Sequence, residues 1–369
     1  FFLICLSFTL GVFLSADLKT TFLFFELMSL GSYVWVVQEE TPEALEAGKT
    51  YLTIAVLGGL VTLMGLFLLQ HLTGTLVLSE LKDACAAVTD RTALWWAALC
   101  VFFGFAAKAG VFPLHIWLPK AHPVAPAPAS ALLSGIITKA GVIGIIRVLY
   151  FIAGPSVLRG TWVQTACLLL ALGTVFMGSM LAYGERDFKK RLAYSSISQI
   201  SYVLTALFLL TEDGLTGGLL QVFFHAWAKI GLFLIAGVII HLAGLRNVED
   251  FRGLGRRLPV TFLCLVFVSL SLVGIPPFGG FVSKWAISLA ALDGLGLSGP
   301  GGAAGIGVAD GGIPVRPHRQ RLLPRRGLHR GTTAPGASGH DPAAGGAGGG
   351  VSGAGSVPRP ADGAVPVSG

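Results

Sequence analysis

Long apolar runs alternate with short polar connections along most of the chain. Runs of about 18 or more apolar residues recur, which is the length that an α-helix needs to cross a bilayer. The predicted spans are residues 1–15, 21–37, 50–70, 94–119, 128–152, 161–183, 192–210, 216–243 and 259–290. The pattern therefore predicts an all-α polytopic membrane protein.

Proline and glycine interrupt two of these predicted helices. Pro113 and Pro119 fall in the helix that carries Lys108, and the pair at 276–277 falls in the helix that carries Lys284. Proline removes a backbone donor, and in lipid the freed carbonyl must find a partner in protein or in a wet cavity. Each break lies in the fourth span of its half, which is typical of transporters built from inverted repeats. The alternative is that these prolines only kink their helices.

Single charges stand in otherwise apolar helices. Lys108 and Lys139 occupy neighbouring helices, Glu26 lies in the second, and His225 and Lys229 lie four residues apart in a later one. Residues four apart share a helix face. A charge at the centre of a membrane helix costs about 3 kcal/mol on insertion scales, so we expect the chain to use these groups.

Other charged side chains sit nearer to the predicted helix ends. His115, His122 and His241 are expected to be interfacial or structural, and Arg147 is expected to extend its charge to the membrane surface. Stripes of Phe, Trp and Leu are interpreted as packing or lipid-facing positions.

The composition agrees with a membrane protein and excludes several classes of site. Hydrophobic residues make up 53% of the chain, charged residues only 12%, and the net charge is +7. The basic residues form no face interleaved with aromatics, so nucleic acid is not expected as a partner. The five cysteines form no CxxC pair, so the sequence indicates neither a metal site nor a disulfide framework.

The basic residues of the connections predict the orientation. One alternate set of connections carries ten Lys and Arg residues and the other carries four. Because Lys and Arg accumulate on the cytoplasmic side, the connections at 184–191 and 246–258 are expected in the cytoplasm.

Both ends of the chain give expectations about its extent. The sequence starts inside an apolar run without Met, which favours a truncated N-terminus. From residue 293 there is no Lys, Glu or aromatic residue, which predicts disorder. A disordered extension is one explanation, and a lost reading frame near residue 292 is the one we favour. The expected division is therefore 1–152 and 161–291 as two repeats, the second incomplete, and 292–369 as a low-complexity tail.

Four stretches resemble a known family over about residues 15–287. They are AAKAGVFPLHIWLPKAHPVAPAPASALLSGIITKAGVIGIIRV, DFKKRLAYSSISQISYVL, FFHAWAKIGLFLIAGVI and GIPPFGGFVSKW. They resemble the antiporter-like membrane subunits of respiratory complex I, of energy-converting hydrogenases and of Mrp-type sodium/proton antiporters. The resemblance implies two five-helix inverted repeats, each with a broken helix, and a hydrophilic axis across the membrane middle.

The resemblance also assigns roles by position in the first half of the chain. Glu26 matches the family's glutamate that pairs with the broken-helix lysine, here Lys108. Lys139 matches the connecting lysine one helix on. One branch of the family has a histidine near Ser134 or Gly135, and its replacement here by Lys139 favours the hydrogenase type, the Mrp D type or the second complex I type.

In the second half, His225 and Lys229 match the His-and-Lys helix, and Lys284 matches the terminal broken-helix lysine. A buried amine tends to lose its proton, whereas a nearby carboxylate keeps it charged. Movement of Glu26 relative to Lys108 would therefore gate a proton, which the later lysines and His225 would relay through water.

Three functions follow as hypotheses. The main one is a proton-translocating subunit of a complex I-type NADH-quinone oxidoreductase or related hydrogenase, in a bacterial-type inner membrane. The second is a sodium/proton antiporter subunit without redox chemistry, and the third is a structural scaffold. Other membrane subunits, protons or sodium ions and the bilayer are the expected partners. No flavin, iron–sulfur or nicotinamide site is expected, because the sequence has no phosphate-binding Gly motif and no Cys cluster.

Overall fold

The computed structural model describes residues 1–294, and the predictions for the tail lie outside the described residues. The first part of the chain forms α1 (Phe2–Leu14), α2 (Leu18–Val37), α3 (Pro42–Thr73), α4 (Leu78–Ala87), α5 (Arg91–Ala109), α6 (Trp117–Val124), α7 (Ala127–Leu132) and α8 (Thr138–Arg147). The later part forms α9 (Pro155–Leu158), α10 (Trp162–Gly184), α11 (Phe188–Phe208), α12 (Glu212–Ala243), α13 (Leu254–Arg257), α14 (Pro259–Val273) and α15 (Gly279–Gly294).

Six helical segments of residues 1–294 are long and apolar enough to cross a membrane. They are Leu18–Val37, Pro42–Thr73, Arg91–Val124, Ala127–Ala153, Trp162–Gly184 and Glu212–Ala243. Two further apolar helices, α1 and α14, are shorter. The chain is an all-α polytopic membrane protein, as its apolar pattern predicts.

Three helical regions differ from the prediction. The helix predicted from residue 50 begins at Pro42, because the Thr41 side chain accepts a hydrogen bond from the Ala44 N–H and proline fits the first helical position. The connection after this helix contains α4, a short amphipathic helix. Helix α12 begins at Glu212, four residues before its predicted start, after another threonine cap.

Both predicted breaks are present. Helix α5 ends at Gly110, which has a left-handed φ of 78°, and the chain continues through a 3-10 turn into α6. Helix α14 ends in the same way at Gly274, and α15 begins at Gly279. Pro119 does not interrupt a helix, contrary to the prediction. It lies in the first turn of α6, where a proline leaves no helical hydrogen bond unmade.

Two segments of the chain, which begin with α1 and with α10 and are called the first and second repeats, share local features. Asp17 pairs with Val77, and Asp187 pairs with Asn247, in two isolated antiparallel bridges. The sequence distance from Asp17 to Asp187 equals the distance from Val77 to Asn247. Asp17 and Asp187 each also cap the helix that follows, by accepting a backbone N–H three residues on. The segments that begin with α1 and with α10 are therefore built alike.

The third helix of each repeat strengthens this equivalence. Helices α3 and α12 both have 32 residues. Each begins after a threonine cap and ends at a left-handed glycine, Gly74 or Gly244.

Close helix packing fixes the fifth span against α5. A Cβ added to Gly141 of α8 would lie 2.6 Å from the Ala109 nitrogen and 2.6 Å from the Phe105 oxygen. Phe105 packs edge-on against Phe25 of α2, with ring centroids 5.0 Å apart. The close approach at Gly141 brings together the helices that carry Lys108 and Lys139.

Candidate functional site

Lys108 lies in an aromatic cage at the first break. It is only 4% exposed, and its Nζ donates to the Tyr51 hydroxyl. That hydroxyl lies 2.5 Å from the Ser32 Oγ. The ammonium lies 4.4 Å from the Tyr51 ring centroid and 5.8 Å from that of Trp117. Trp117 follows the break and donates from Nε1 to the Ala107 carbonyl at 2.8 Å, so the break folds the chain back over the lysine.

Glu26 lies close enough to Lys108 to interact electrostatically, but the two form no ion pair in this structure. The ion pairs found within residues 1–294 are at exposed loops and helix ends. Glu26 Oε1 is buried without a hydrogen-bond partner in the described part of the chain. A cavity of about 10 Å³ lies beside Lys108, lined also by Ser29 and Tyr51. This is about the space of one water molecule, with the side chains of Ser29, Tyr51 and Lys108 in its lining.

Lys139 lies just after an irregular turn in the fifth span. The segment Leu133–Ile137 is π-helical, and such turns are frequent at functional sites. Lys139 Nζ donates to the Ser134 carbonyl and lies 3.5 Å from the Thr138 Oγ1. The Ser134 hydroxyl lies 2.7 Å from that of Ser196 on α11, which links this span to the second repeat.

His225 and Lys229 lie on one buried face of α12. Lys229 is fully buried, and its Nζ donates to the Leu192 carbonyl at 2.7 Å and to the Ser195 hydroxyl. Neither ring nitrogen of His225 has a hydrogen-bond partner within residues 1–294. His225 is close enough to Lys139, Lys229 and Lys284 for electrostatic interaction.

Lys284 is half-buried and lies just beyond the second break. Its Nζ donates to the carbonyls of Leu272 at 2.7 Å and Val273 at 2.9 Å. These are the last carbonyls of α14, where a helix end attracts a cation. The ammonium also lies 5.6 Å from the Tyr202 ring centroid.

Known proteins with similar sequences identify the family of this chain. The family described as "NADH:quinone oxidoreductase/Mrp antiporter, TM" matches residues 15–295. The chain belongs to this family.

Curated relatives of this antiporter family come from several kinds of complex. The chain is 33% identical to the N subunit of NADH-quinone oxidoreductase of Desulforudis audaxviator, over 79% of this chain and 58% of the relative. It is 34% identical to hydrogenase-4 component B of Escherichia coli, over 71% and 40%. It is 33% identical to the D subunit of the Na(+)/H(+) antiporter of Alkalihalophilus pseudofirmus, over 76% and 56%. The chain thus spans about half the length of the curated relatives it matches.

Solved structures agree with the family assignment. The Mrp complex from Dietzia sp. contains a chain with a TM-score of 0.74 and 31% identity, covering 80% of this chain and 55% of that one. Respiratory complex I from Thermus thermophilus contains one with a TM-score of 0.72 and 27% identity, covering 79% and 61%.

In this antiporter-family member, a buried polar link that the sequence analysis missed leads towards Lys284. Gln221 Nε2 donates to Gln199 Oε1 at 2.7 Å, and the Ser283 hydroxyl donates to Gln221 Oε1 at 2.6 Å. Gln221 precedes His225 by four residues and so shares its helix face. Two polar residues four positions apart in an apolar helix could have pointed to this link in the sequence.

One interpretation of a helix-end residue was wrong: the Arg147 side chain does not extend out of the helix bundle. It is buried and donates to the Ser15 and Thr21 hydroxyls, at 3.0 and 2.5 Å, and to two backbone carbonyls, because the turn before α2 offers acceptors there. His122, expected to be interfacial or structural, is fully buried, which fits the structural alternative. His115 is half-buried against Phe112.

Proposed function

We propose that this chain is a proton-translocating, antiporter-like subunit of a redox-driven membrane complex, of the complex I-type NADH-quinone oxidoreductase or membrane hydrogenase kind. The bacterial inner membrane is its proposed location, and the other membrane subunits of the complex are its proposed partners. Relatives named for NADH-quinone oxidoreductase and for hydrogenase-4 support the redox-driven kind of complex.

The observation that carries the proposal is a row of buried lysines without carboxylate partners. Lys108, Lys139 and Lys229 are each at most 4% exposed, and none has a carboxylate within 4.0 Å in the described part of the chain. Burying an unpaired charge is costly. Lysines kept in such sites can exchange protons more easily than lysines held in ion pairs, which supports a transport role.

The first step of the proposed mechanism is a change of partner by Lys108. The lysine donates to the neutral Tyr51 hydroxyl in this structure, while the Glu26 carboxylate lies beyond ion-pair distance. Approach of Glu26 would favour the charged ammonium, and retreat would favour release of its proton. The pair would therefore act as a gate.

The released proton would then pass along the rest of the axis. Lys139 and Lys229 would receive it in turn, and His225 would pass it on because imidazole can both accept and donate a proton. Lys284 would be the terminal group. The two repeats, 1–152 and 161–291, would be inverted, because five spans separate their first helices.

A sodium/proton antiporter subunit is the second candidate function. The match to the Mrp complex, with a TM-score of 0.74, and the likeness to the D subunit of a sodium/proton antiporter favour it. In this case the same lysines would move protons in exchange for sodium ions that cross in the opposite direction, without electron transfer.

The test uses the full-length protein in its native complex, in sealed inverted membrane vesicles. A pH-sensitive dye would report proton uptake after NADH or hydrogen is added, and separately proton release after a sodium pulse, because an antiporter exchanges entering sodium for leaving protons. We expect donor-driven uptake in the parent and its loss in Lys108→Ala, with assembly checked by native gel. Proton release after the sodium pulse, without donor-driven uptake, would favour the antiporter. Normal assembly and normal uptake in Lys108→Ala would favour a structural scaffold and refute the proposal.

A further inference from the structure

A second cavity, of about 90 Å³, lies between the two repeats, and none of the buried lysines lines it. We call it the inter-repeat crevice. Its walls are Ala98 and Phe102 of α5 and Leu149 on the side of the first repeat, and Cys167 of α10 and Phe208 of α11 on the side of the second. One water molecule needs about 10–15 Å³ and two to four polar partners. The crevice is several times larger than this, so we asked what its walls could bind.

The one side-chain amide in the lining of the crevice, that of Gln164, is already engaged by the backbone. Its Oε1 accepts a hydrogen bond from the Gly160 N–H at 2.7 Å, and its Nε2 donates to the Phe208 carbonyl at 2.9 Å. Water would therefore be held poorly, whereas a hydrocarbon chain would supply the van der Waals contacts that the apolar walls lack. The size and the chemistry of the crevice fit such a chain.

A cation stands at the rim of the crevice. Arg159, in the connection between α9 and α10, donates from Nη2 to the carbonyl of Leu210, and Leu210 itself lines the crevice. That bond uses one of the five N–H donors of the guanidinium, and Arg159 is exposed. Because the planar guanidinium fork matches the geometry of phosphate, the rim offers a site for a phosphate attached to a hydrocarbon chain.

The backbone in the wall of the crevice departs from regular structure in two places. Leu210 has a φ of 56°, in the left-handed region that residues other than glycine rarely adopt. The segment Val148–Ala153, which contributes Leu149 to the lining, is π-helical. Such conformations are costly and cluster at functional sites. Two of them in the wall of one cavity favour a binding site over a chance gap in the packing.

Tryptophans indicate the depth of the crevice in the membrane. Trp95 lines it, and Trp96 and Trp162 are 60% and 80% exposed within the first two turns of α5 and α10. Tryptophan is enriched where a membrane meets water. Arg159 precedes Trp162 by three residues, so its charge would lie at the depth of the lipid phosphates, with the crevice next to it on the hydrocarbon side.

We propose that the inter-repeat crevice binds one acyl chain of a membrane phospholipid, whose phosphate is held by Arg159. The bound lipid lies between α5 of the first repeat and α10 and α11 of the second, and it stabilises the contact between the repeats. This inference does not depend on the proposed function, because it needs neither proton transfer nor any of the buried lysines.

Photo-crosslinking of the full-length protein in its native complex tests the proposal. The complex is reconstituted into phosphatidylcholine vesicles that contain a small share of one of two probes. The first probe is phosphatidylglycerol with a diazirine on one acyl chain, and the second is diacylglycerol, which has the same labelled chain but no phosphate. After illumination, mass spectrometry of peptides locates the crosslinks. We expect crosslinks to the α5 and α10 walls of the crevice, about tenfold stronger with the phospholipid, since one hydrogen bond to a charged group is worth about that factor.

Two variants separate the charge at the rim from the space in the crevice. Arg159→Gln should lower crosslinking of the phospholipid probe at the crevice by about tenfold and leave that of the diacylglycerol probe unchanged. Ala98→Leu should lower crosslinking of both probes several-fold, because its added atoms take the space of the chain. The matched controls are Arg252→Gln, in another exposed connection, and Leu169→Phe, at a position of α10 outside the crevice that is 64% exposed. Both should be labelled like the parent.

Three outcomes would overturn the proposal. Equal labelling of the crevice by the phospholipid probe in the parent and in Arg159→Gln would show that no phosphate is held there. Labelling of the crevice no stronger than that of the exposed surface around Leu169 would show ordinary contact with the bilayer. Labelling around Leu169 with none at the crevice would show that another part of the protein or a partner subunit fills it. Assembly is checked by native gel, and if Ala98→Leu does not assemble, the two probes in the parent and in Arg159→Gln still decide. Proton uptake is not measured, so failure of the proposed function leaves this test unchanged.

Discussion

The two repeats use one scaffold for opposite charges. The residue spacing that relates the two bridges also relates Glu26 to Ser196 and Gly59 to Lys229. In the first repeat, the acid of α2 packs against the glycine of α3, and a Cβ at Gly59 would lie 2.5 Å from Glu26 Oε1. In the second repeat, α12 carries the charge, and Lys229 reaches back to α11.

The two helix breaks also differ in the position and partners of their lysines. Lys108 precedes its break and donates to a tyrosine hydroxyl, whereas Lys284 follows its break and donates to two helix-end carbonyls. A hydroxyl can donate as well as accept, so it can pass a proton on. Carbonyls only accept. The comparison indicates that Lys108 at the first break can exchange partners, whereas Lys284 at the second break is held by the end of a helix.

The largest expected effect is at the acid of the first repeat. Glu26→Gln keeps the size of the side chain but removes its charge, and we expect proton uptake to fall by about 100-fold, the scale of a lost proton-transfer group. Ser196→Ala, at the equivalent position of the second repeat, should change uptake less than about twofold because it removes only neutral hydrogen bonds. Dye-monitored uptake in vesicles measures both. Equal losses in the two variants would contradict the assigned difference between the repeats.

A smaller loss is expected when the carboxylate is displaced rather than removed. In Gly59→Ala, the new Cβ would overlap the Glu26 carboxylate, so the side chain must move. We expect uptake to fall by about tenfold, because catalytic geometry tolerates displacements of about 1 Å poorly. Gly173→Ala is the matched control, since a Cβ there meets nothing within 4 Å. Unchanged uptake in Gly59→Ala would show that the position of Glu26 is not critical.

Removing one hydroxyl tests the partner of Lys108. Tyr51→Phe keeps the ring under the ammonium but removes the oxygen that accepts from Nζ. We expect the loss of one hydrogen bond to a charged group, about 1.5–3 kcal/mol, to slow uptake and to shift its pH profile towards lower pH, because the ammonium is less stabilised. Tyr183→Phe, at an exposed position, should leave the profile unchanged. An identical profile in Tyr51→Phe would remove the tyrosine from the mechanism.

The sequence predicted the helices, both breaks and the placement of the buried lysines, because these depend on local chemistry. Apolar run length sets a membrane helix, and proline and glycine end one. The start of α3 at Pro42 was also readable, since Thr41 followed by proline is a typical helix start. The acidic residues that follow Pro42 led instead to the wrong prediction of a polar connection up to residue 50.

The partners of the charged side chains could not be predicted in this way. Lys108 donates to Tyr51 instead of pairing with Glu26, and that choice depends on how α2, α3 and α5 pack. Arg147 stands near a helix end, where arginine often reaches the surface, yet the turn before α2 covers it and accepts its hydrogen bonds. His122 follows the first break, and only the fold brings it against α12.

The smallest expected effect, a slight change in thermal stability, concerns Lys284 and helps to separate its two possible roles. Lys284→Met removes both the charge and the donors to the last carbonyls of α14, and a cation at a helix C-terminus stabilises by about 0.3–1 kcal/mol. Lys284→Gln keeps donors for those carbonyls but cannot carry a proton. If Lys284 only caps α14, the thermal unfolding midpoint of the complex should fall slightly in the Met variant and stay unchanged in the Gln variant, with normal uptake in Gln. If Lys284 is the terminal group of the axis, uptake should be lost in both variants whatever the midpoint. Lys108 at the first break contacts a hydroxyl, whereas Lys284 at the second break contacts only carbonyls. The two variants therefore show whether the lysine at the second break takes part in transport or only stabilises the helix end.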